Sequence, residues 1–138
     1  MEKLEHIGIA VKNMDQANKL FAQLLGREQY KIETVESEGV RTSFFEISGV
    51  KIELLEATRE DSPIGKFIEK RGEGIHHLAF AVNDIDESIS TYQKKGFELI
   101  NPVAKMGADN KMICFLHPKT TGGVLIELCA NAKEPSSD

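Results

Sequence analysis

Glu5-His-Ile-Gly-Ile-Ala-Val11 returns 71 residues later as His76-His-Leu-Ala-Phe-Ala-Val82, and Gly49-Val-Lys-Ile-Glu-Leu54 returns 74 residues later as Gly123-Val-Leu-Ile-Glu-Leu128. Self-similarity at a fixed offset marks a chain made of two copies of one unit. His6 maps onto His77, and Glu53 maps onto Glu127. Between these anchors each copy has an acidic opening, Asn13-Met-Asp-Gln or Asn83-Asp-Ile-Asp-Glu, followed by an amphipathic stretch that closes at Gly26 or Gly96. An Asn or Asp before the first turn and a glycine after the last are helix start and stop signals. Ala17, Leu20, Phe21, Leu24 and Leu25 recur at helical spacing in the first, and Ile85, Ile89 and Tyr92 in the second, so each helix has one face to bury. Further strands are expected near 28–36, 40–47, 98–103 and 111–117.

The reading is an α+β fold of two tandem βαβββ modules in one domain spanning 1–138. Module one covers about 3–57 and module two about 75–130. A linker helix covers about 62–72, with Pro63 in its first turn and Gly72 after its end, and residues 131–138 form a frayed tail.

Strand alternation brings the repeated ionisable residues together. Successive side chains point to opposite faces, so Ile7, Ile9 and Val11 take the face toward a helix and leave His6 with the small Gly8 and Ala10 on the other. The second copy divides in the same way, with His77, Ala79 and Ala81 opposite Leu78, Phe80 and Val82. Glu53 and Glu127 oppose Ile52, Leu54, Ile126 and Leu128. A carboxylate on the interior face of an apolar strand costs several kcal/mol unless it has a partner. A divalent metal held by His6, Glu53, His77 and Glu127 removes that cost. The mixed nitrogen and oxygen donor set suits Mn, Co, Ni, Fe or Zn and leaves positions for substrate oxygens. His76 has the opposite parity to His77 and reads as a supporting residue. His117, before Pro118, is a loop residue with either a turn role or a substrate contact.

Bulk composition narrows the function classes. The formal net charge is −5 and the 17 basic residues are dispersed along the 138-residue chain, which gives no footing for nucleic acid or a membrane surface. No signal h-region or long apolar span is present, so a cytoplasmic location is expected. Cys114 and Cys129 lie in apolar runs without CxxC spacing and read as buried hydrophobes.

The HIGIAV and HHLAFAV repeats, with IELL and IELC, resemble the vicinal oxygen chelate superfamily. Within it the chain is most similar to the methylmalonyl-CoA epimerases, through Val50-Lys-Ile-Glu-Leu-Leu-Glu56, Gly72-Glu-Gly-Ile-His-His-Leu-Ala79 and Phe115-Leu-His-Pro-Lys-Thr-Thr-Gly-Gly-Val-Leu-Ile-Glu-Leu128. The resemblance implies a cup-shaped mixed sheet around one divalent metal ion, with cobalt or manganese favoured, and an acyl-CoA substrate. The reaction it implies is metal-dependent epimerisation by 1,1-proton transfer through a metal-stabilised enolate. Glyoxalase I and a non-enzymatic small-molecule-binding protein of the same superfamily are the alternatives. Some epimerases carry a glutamate base where this chain has Thr42, so the acid/base candidates become Glu127 and Glu46. Glu46 stands roughly 13 Å along the strand from Thr42. Thr42, Lys119 and His117 are the candidate substrate contacts. Lys105 and Lys111 join Lys119 as candidates for the coenzyme A phosphates. The superfamily also implies a homodimer.

Overall fold

The computed structural model describes residues 1–132 of the chain. Its elements run β1 (Lys3–Ala10), α1 (Met14–Leu25), β2 (Lys31–Val35), β3 (Val40–Ile47), β4 (Val50–Ala57), α2 (Pro63–Arg71), β5 (Gly74–Ala81), α3 (Ile85–Lys94), β6 (Lys105–Met106), β7 (Lys111–Leu116) and β8 (Ile126–Asn131). The eight strands make one curled mixed sheet in the order β2-β3-β4-β1-β5-β8-β7-β6. β1 runs parallel to β4, and β5 runs parallel to β8. The two halves are zipped together by the antiparallel pair β1–β5.

The outer face of each half is covered by its own helix. Asn13 accepts a hydrogen bond from the Gln16 amide at the start of α1, and Gly26 ends that helix at φ 70°, where a side chain would be strained. Asp84 caps α3 in the same manner. Val11, Ala17, Phe45 and Leu54 pack with Phe21 and Leu25 beneath α1. Ile85 and Ile89 pack with Val82, Leu99, Cys114, Leu116, Leu128 and Ala130 beneath α3, with Tyr92 against them. Leu20 and Leu24 share the helical spacing of the α1 core residues but stay exposed, because the buried stripe runs through Met14, Ala17, Phe21 and Leu25. α2 lies on the concave side, where Ile64 packs on Ala10, Val40 and Leu55 and closes one end of the cup.

The strand expected near 98–103 is replaced by a single bridge from Leu99 to Leu116, followed by the two-residue strand β6. Pro102 has no amide to donate to a ladder, and the Asn101 side chain accepts from the Val103 amide, so this segment turns instead of pairing. At the C-terminal end Asn131 belongs to β8, not to a tail. The rest of the expected tail, from 133 onward, lies outside the described residues.

Two irregularities interrupt the seam. Leu4 pairs with Phe80 and His6 with Ala79, which leaves Glu5 unmatched on β1. Gly8 pairs with His77 and Ile9 with Ile75, which leaves His76 unmatched on β5. A β-bulge gives its strand one extra residue and re-aims the side chains beside it. Glu5 and His76 occupy equivalent places in the two repeats, and both line the concave face beside the histidine that follows them.

Candidate metal centre

Strand parity and pairing place the four repeated residues on the floor of the cup. In the seam Gly8 stands opposite His77, and its missing side chain makes room for the imidazole: a Cβ there would fall 2.3 Å from His77 Cε1 and 2.6 Å from Nδ1. His6 and His77 turn their Nε2 atoms on each other at 3.0 Å. Glu127 sits 3.4 Å from both of those nitrogens. Glu53 approaches from the other side of the ring, 3.1 Å from His6 Nδ1. His6, His77 and Glu127 therefore offer three donor atoms within 4.8 Å of one another, and Glu53 stands one ring width away.

All four residues are buried, which sets their protonation. Burial pushes Glu127 up to about 8 and Glu53 up to about 7, although the charge on His6 pulls each of them down. Burial works against charge on His6, yet the Glu5 hydrogen bond and the carboxylates of Glu53, Glu127 and Glu5 outweigh it and raise the imidazole to about 9. His77 is held well below its ordinary range by burial, with His6 and His76 adding to the effect. Two raised acids beside two facing imidazoles make a donor set short of positive charge, and a divalent cation fits it. A second trio, Glu5, His6 and Cys129, also comes within reach of one point. Its thiol is pushed up to about 12 by burial and the Glu127 charge, and the Lys51 ammonium already pairs with Glu5, so it lacks the same vacancy for charge.

The floor opens into a cavity of about 240 Å³ whose walls come from both halves. Val35, Val40, Leu55 and Ile64 form an apolar side, and Ile100, Ile113, Phe115 and Leu125 form another. Lys105 and Lys111, expected near the mouth, line it. Lys105 pairs with Glu38 at 2.8 Å, and Lys111 donates to Asn131.

Three other residues singled out from the sequence stand elsewhere. Glu46 is exposed and is not among the cavity-lining residues, because four residues of strand carry it past the floor to the rim. His117 caps a single turn by accepting from the Lys119 amide, and Lys119 pairs with Glu98 at 2.7 Å in the open; neither lines the cavity. Thr42 is on the concave face of β3, buried, and its hydroxyl has no partner among the described residues. The parity argument placed His76 facing away from the site. The bulge reverses this, so that its Nδ1 lies 2.9 Å from His77 Nδ1 and its ring meets Phe67 of α2 edge-on. Glu5 was missed for the same reason. It is buried, with one carboxylate oxygen 2.8 Å from His6 Nδ1 and the other 3.0 Å from Lys51 Nζ.

Among similar proteins, YqjC of Bacillus subtilis, itself uncharacterised, is 40% identical over all 138 residues and 96% of its own length. The mouse mitochondrial methylmalonyl-CoA epimerase is 34% identical over 91% of this chain and 71% of its own. A solved structure of Streptomyces coelicolor methylmalonyl-CoA epimerase in complex with 2-nitronate-propionyl-CoA superposes with a TM-score of 0.89 at 35% identity, covering 99% of each chain. Residues 5–115 match the Glyoxalase/Bleomycin resistance protein/Dioxygenase superfamily, and with two repeated modules curled around a shared floor of histidine and glutamate the chain belongs to that superfamily.

Proposed function

We propose that this chain is a metal-dependent methylmalonyl-CoA epimerase. The observation that carries the reading is the floor itself, where His6, His77 and Glu127 from the two halves offer donor atoms within 4.8 Å of one another beside a cavity, with Glu53 against His6. Likeness to epimerases over nine-tenths of the chain supports the substrate class.

Epimerisation moves one proton off the carbon between a thioester and a free carboxylate and returns a proton to the opposite face. That hydrogen is weakly acidic, so its removal needs a base within hydrogen-bond reach and a surrounding that tolerates charge on the thioester oxygen. A divalent cation held by His6, His77, Glu127 and Glu53, with cobalt or manganese favoured, supplies Lewis-acid stabilisation of that charge, worth several kcal/mol. Glu127 is the group assigned to the proton. It is buried in the floor and takes the proton from one face of the carbon, and a second acid returns a proton to the other face. Thr42 occupies the place of a base in some epimerases, but a hydroxyl is a poor base at neutral pH. The apolar walls would keep water from the reacting carbon, and Lys105 and Lys111, which line the cavity, are the residues assigned to the coenzyme A phosphates.

Incubation with methylmalonyl-CoA in D₂O is the test. Deuterium should enter the α-carbon, chelator treatment should abolish the exchange, and Co²⁺ or Mn²⁺ should restore it. Full activity after verified metal removal sinks the metal-dependent reading. Absence of exchange, with turnover of a glutathione hemithioacetal, moves the chain to glyoxalase chemistry.

A further inference from the structure

A histidine offers a metal one nitrogen, and the partner of its other nitrogen decides which one. His6 has a carboxylate pressed against Nδ1 that comes from the residue before it. Glu5 is the unmatched residue of the β1 bulge, and without that extra residue a side chain at this place in a strand would face α1. Its two oxygens are divided between His6 Nδ1 at 2.8 Å and Lys51 Nζ at 3.0 Å. Lys51 stands beside His6 on β4 and also pairs with Asp109. Asp109 comes from module two. It sits in the turn before β7 at φ 60°, its second oxygen is 2.7 Å from Lys31 Nζ, and its amide donates to Glu33 at 3.0 Å. A continuous line of alternating charge therefore runs from a loop of one half to a floor histidine of the other.

Stability alone is a weak account of this line, since buried ion pairs seldom repay their desolvation. Orientation is a better one. With a metal bound, an Nδ1–H donated to Glu5 would leave the His6 Nε2 lone pair facing His77 and Glu127, while Glu53 stands on the Nδ1 side of the ring. Module two meets the same need differently, with His76 at the equivalent bulge.

We propose that Glu5 is a positioning residue that fixes the orientation and tautomer of His6 for metal binding, and that Lys51, tethered by Asp109, holds Glu5 in place. The inference rests on the metal-centre reading above. It goes beyond that reading by making the affinity of the centre depend on residues outside the proposed ligand set.

The experiment measures Co²⁺ affinity by competition with a chromophoric chelator, with the stability of each metal-free variant recorded separately. Glu5→Gln should weaken binding 10- to 100-fold, within the range for loss of a ligand's supporting carboxylate. Lys51→Met should weaken it about tenfold, and Lys51→Arg should recover to within about threefold of the parent. In Zn²⁺-loaded protein, ¹⁵N spectra should show His6 protonated at Nδ1 and bound through Nε2. Unchanged affinity in both Glu5→Gln and Lys51→Met, or Zn²⁺ on His6 Nδ1, overturns the inference and leaves the metal centre standing. A parent protein that binds no Co²⁺ removes both.

Discussion

The two halves of the molecule agree in their strands, in their outer helices and in the place of one histidine and one glutamate. They differ in what stands behind those residues. Module one backs His6 with charge, through Glu5, Lys51 and, from across the seam, Asp109. Module two backs His77 with rings: His76 at 2.9 Å, Phe115 edge-on at a centroid distance of 5.8 Å, and Phe67 of α2 behind His76. Phe44 faces Glu53 on β3 as Phe115 faces Glu127 on β7, and counting two residues back puts Thr42 in one half where Ile113 stands in the other. Duplication has kept the ligands and let the supporting residues diverge. The repeated residues meet at one floor, while each supporting group answers only to its own neighbours.

The largest expected effect separates the two glutamates. Glu127 reaches the Nε2 atoms of both histidines and is assigned to the proton, whereas Glu53 touches His6 alone. Glu127→Ala should lower kcat by about 10³-fold, and Glu53→Ala should weaken Co²⁺ binding by ten- to a hundredfold with a smaller loss of kcat. Steady-state kinetics at saturating metal distinguishes the two, and equal losses of kcat break the asymmetry.

A second effect concerns the small residues opposite each histidine. Gly8 faces His77 and leaves no room for a methyl group, whereas Ala79, its counterpart in the repeat, faces His6 and already carries one. Gly8→Ala should displace the His77 ring, which is hemmed in by His6, His76 and Phe115. The expected cost is about 1–3 kcal/mol of stability, together with a loss of metal affinity. Ala79→Gly should cost only about 0.5–1 kcal/mol and leave affinity unchanged. Thermal unfolding and Co²⁺ titration of the pair measure both quantities.

Most of this architecture is legible in the residues because it depends on local periodicity. His6 and Glu53 show their parity in their own strands, and the repeat converts two coincidences into a pattern. The pieces that were not legible depend on partners far along the chain. Glu5 and His76 turn inward because β1 and β5 slip by one residue against each other, and neither strand records that slip in its own alternation. The role of Lys51 shows only when Asp109, 58 residues later, is seen beside it. Leu99 to Val103 has the apolar content of a strand, and Pro102 removes an amide it would need. Glu46, His117 and Lys119 were chosen by position in the sequence, and none of them lines the cavity.

The smallest effect sharpens the comparison at Thr42. Its buried hydroxyl has no partner among the described residues, and the equivalent residue of module two is apolar. Thr42→Val should therefore stabilise the protein by about 1 kcal/mol, or roughly 4 °C in Tm, with kcat and KM within twofold of the parent. Calorimetry with a kinetic control checks this, and a raised KM would place the hydroxyl on the substrate instead.

The seam between β1 and β5 has a consequence for how the molecule is made. His6 and Glu53 emerge early in the chain and His77 and Glu127 late, so a nascent polypeptide that ends before β5 holds half a cage and no means of closing it. Contacts of such high sequence separation are reached slowly, after considerable loop entropy has been lost. On the proposed metal reading, capture of the ion would be a late event in biogenesis, reporting on the docking of the halves and not on the folding of either one.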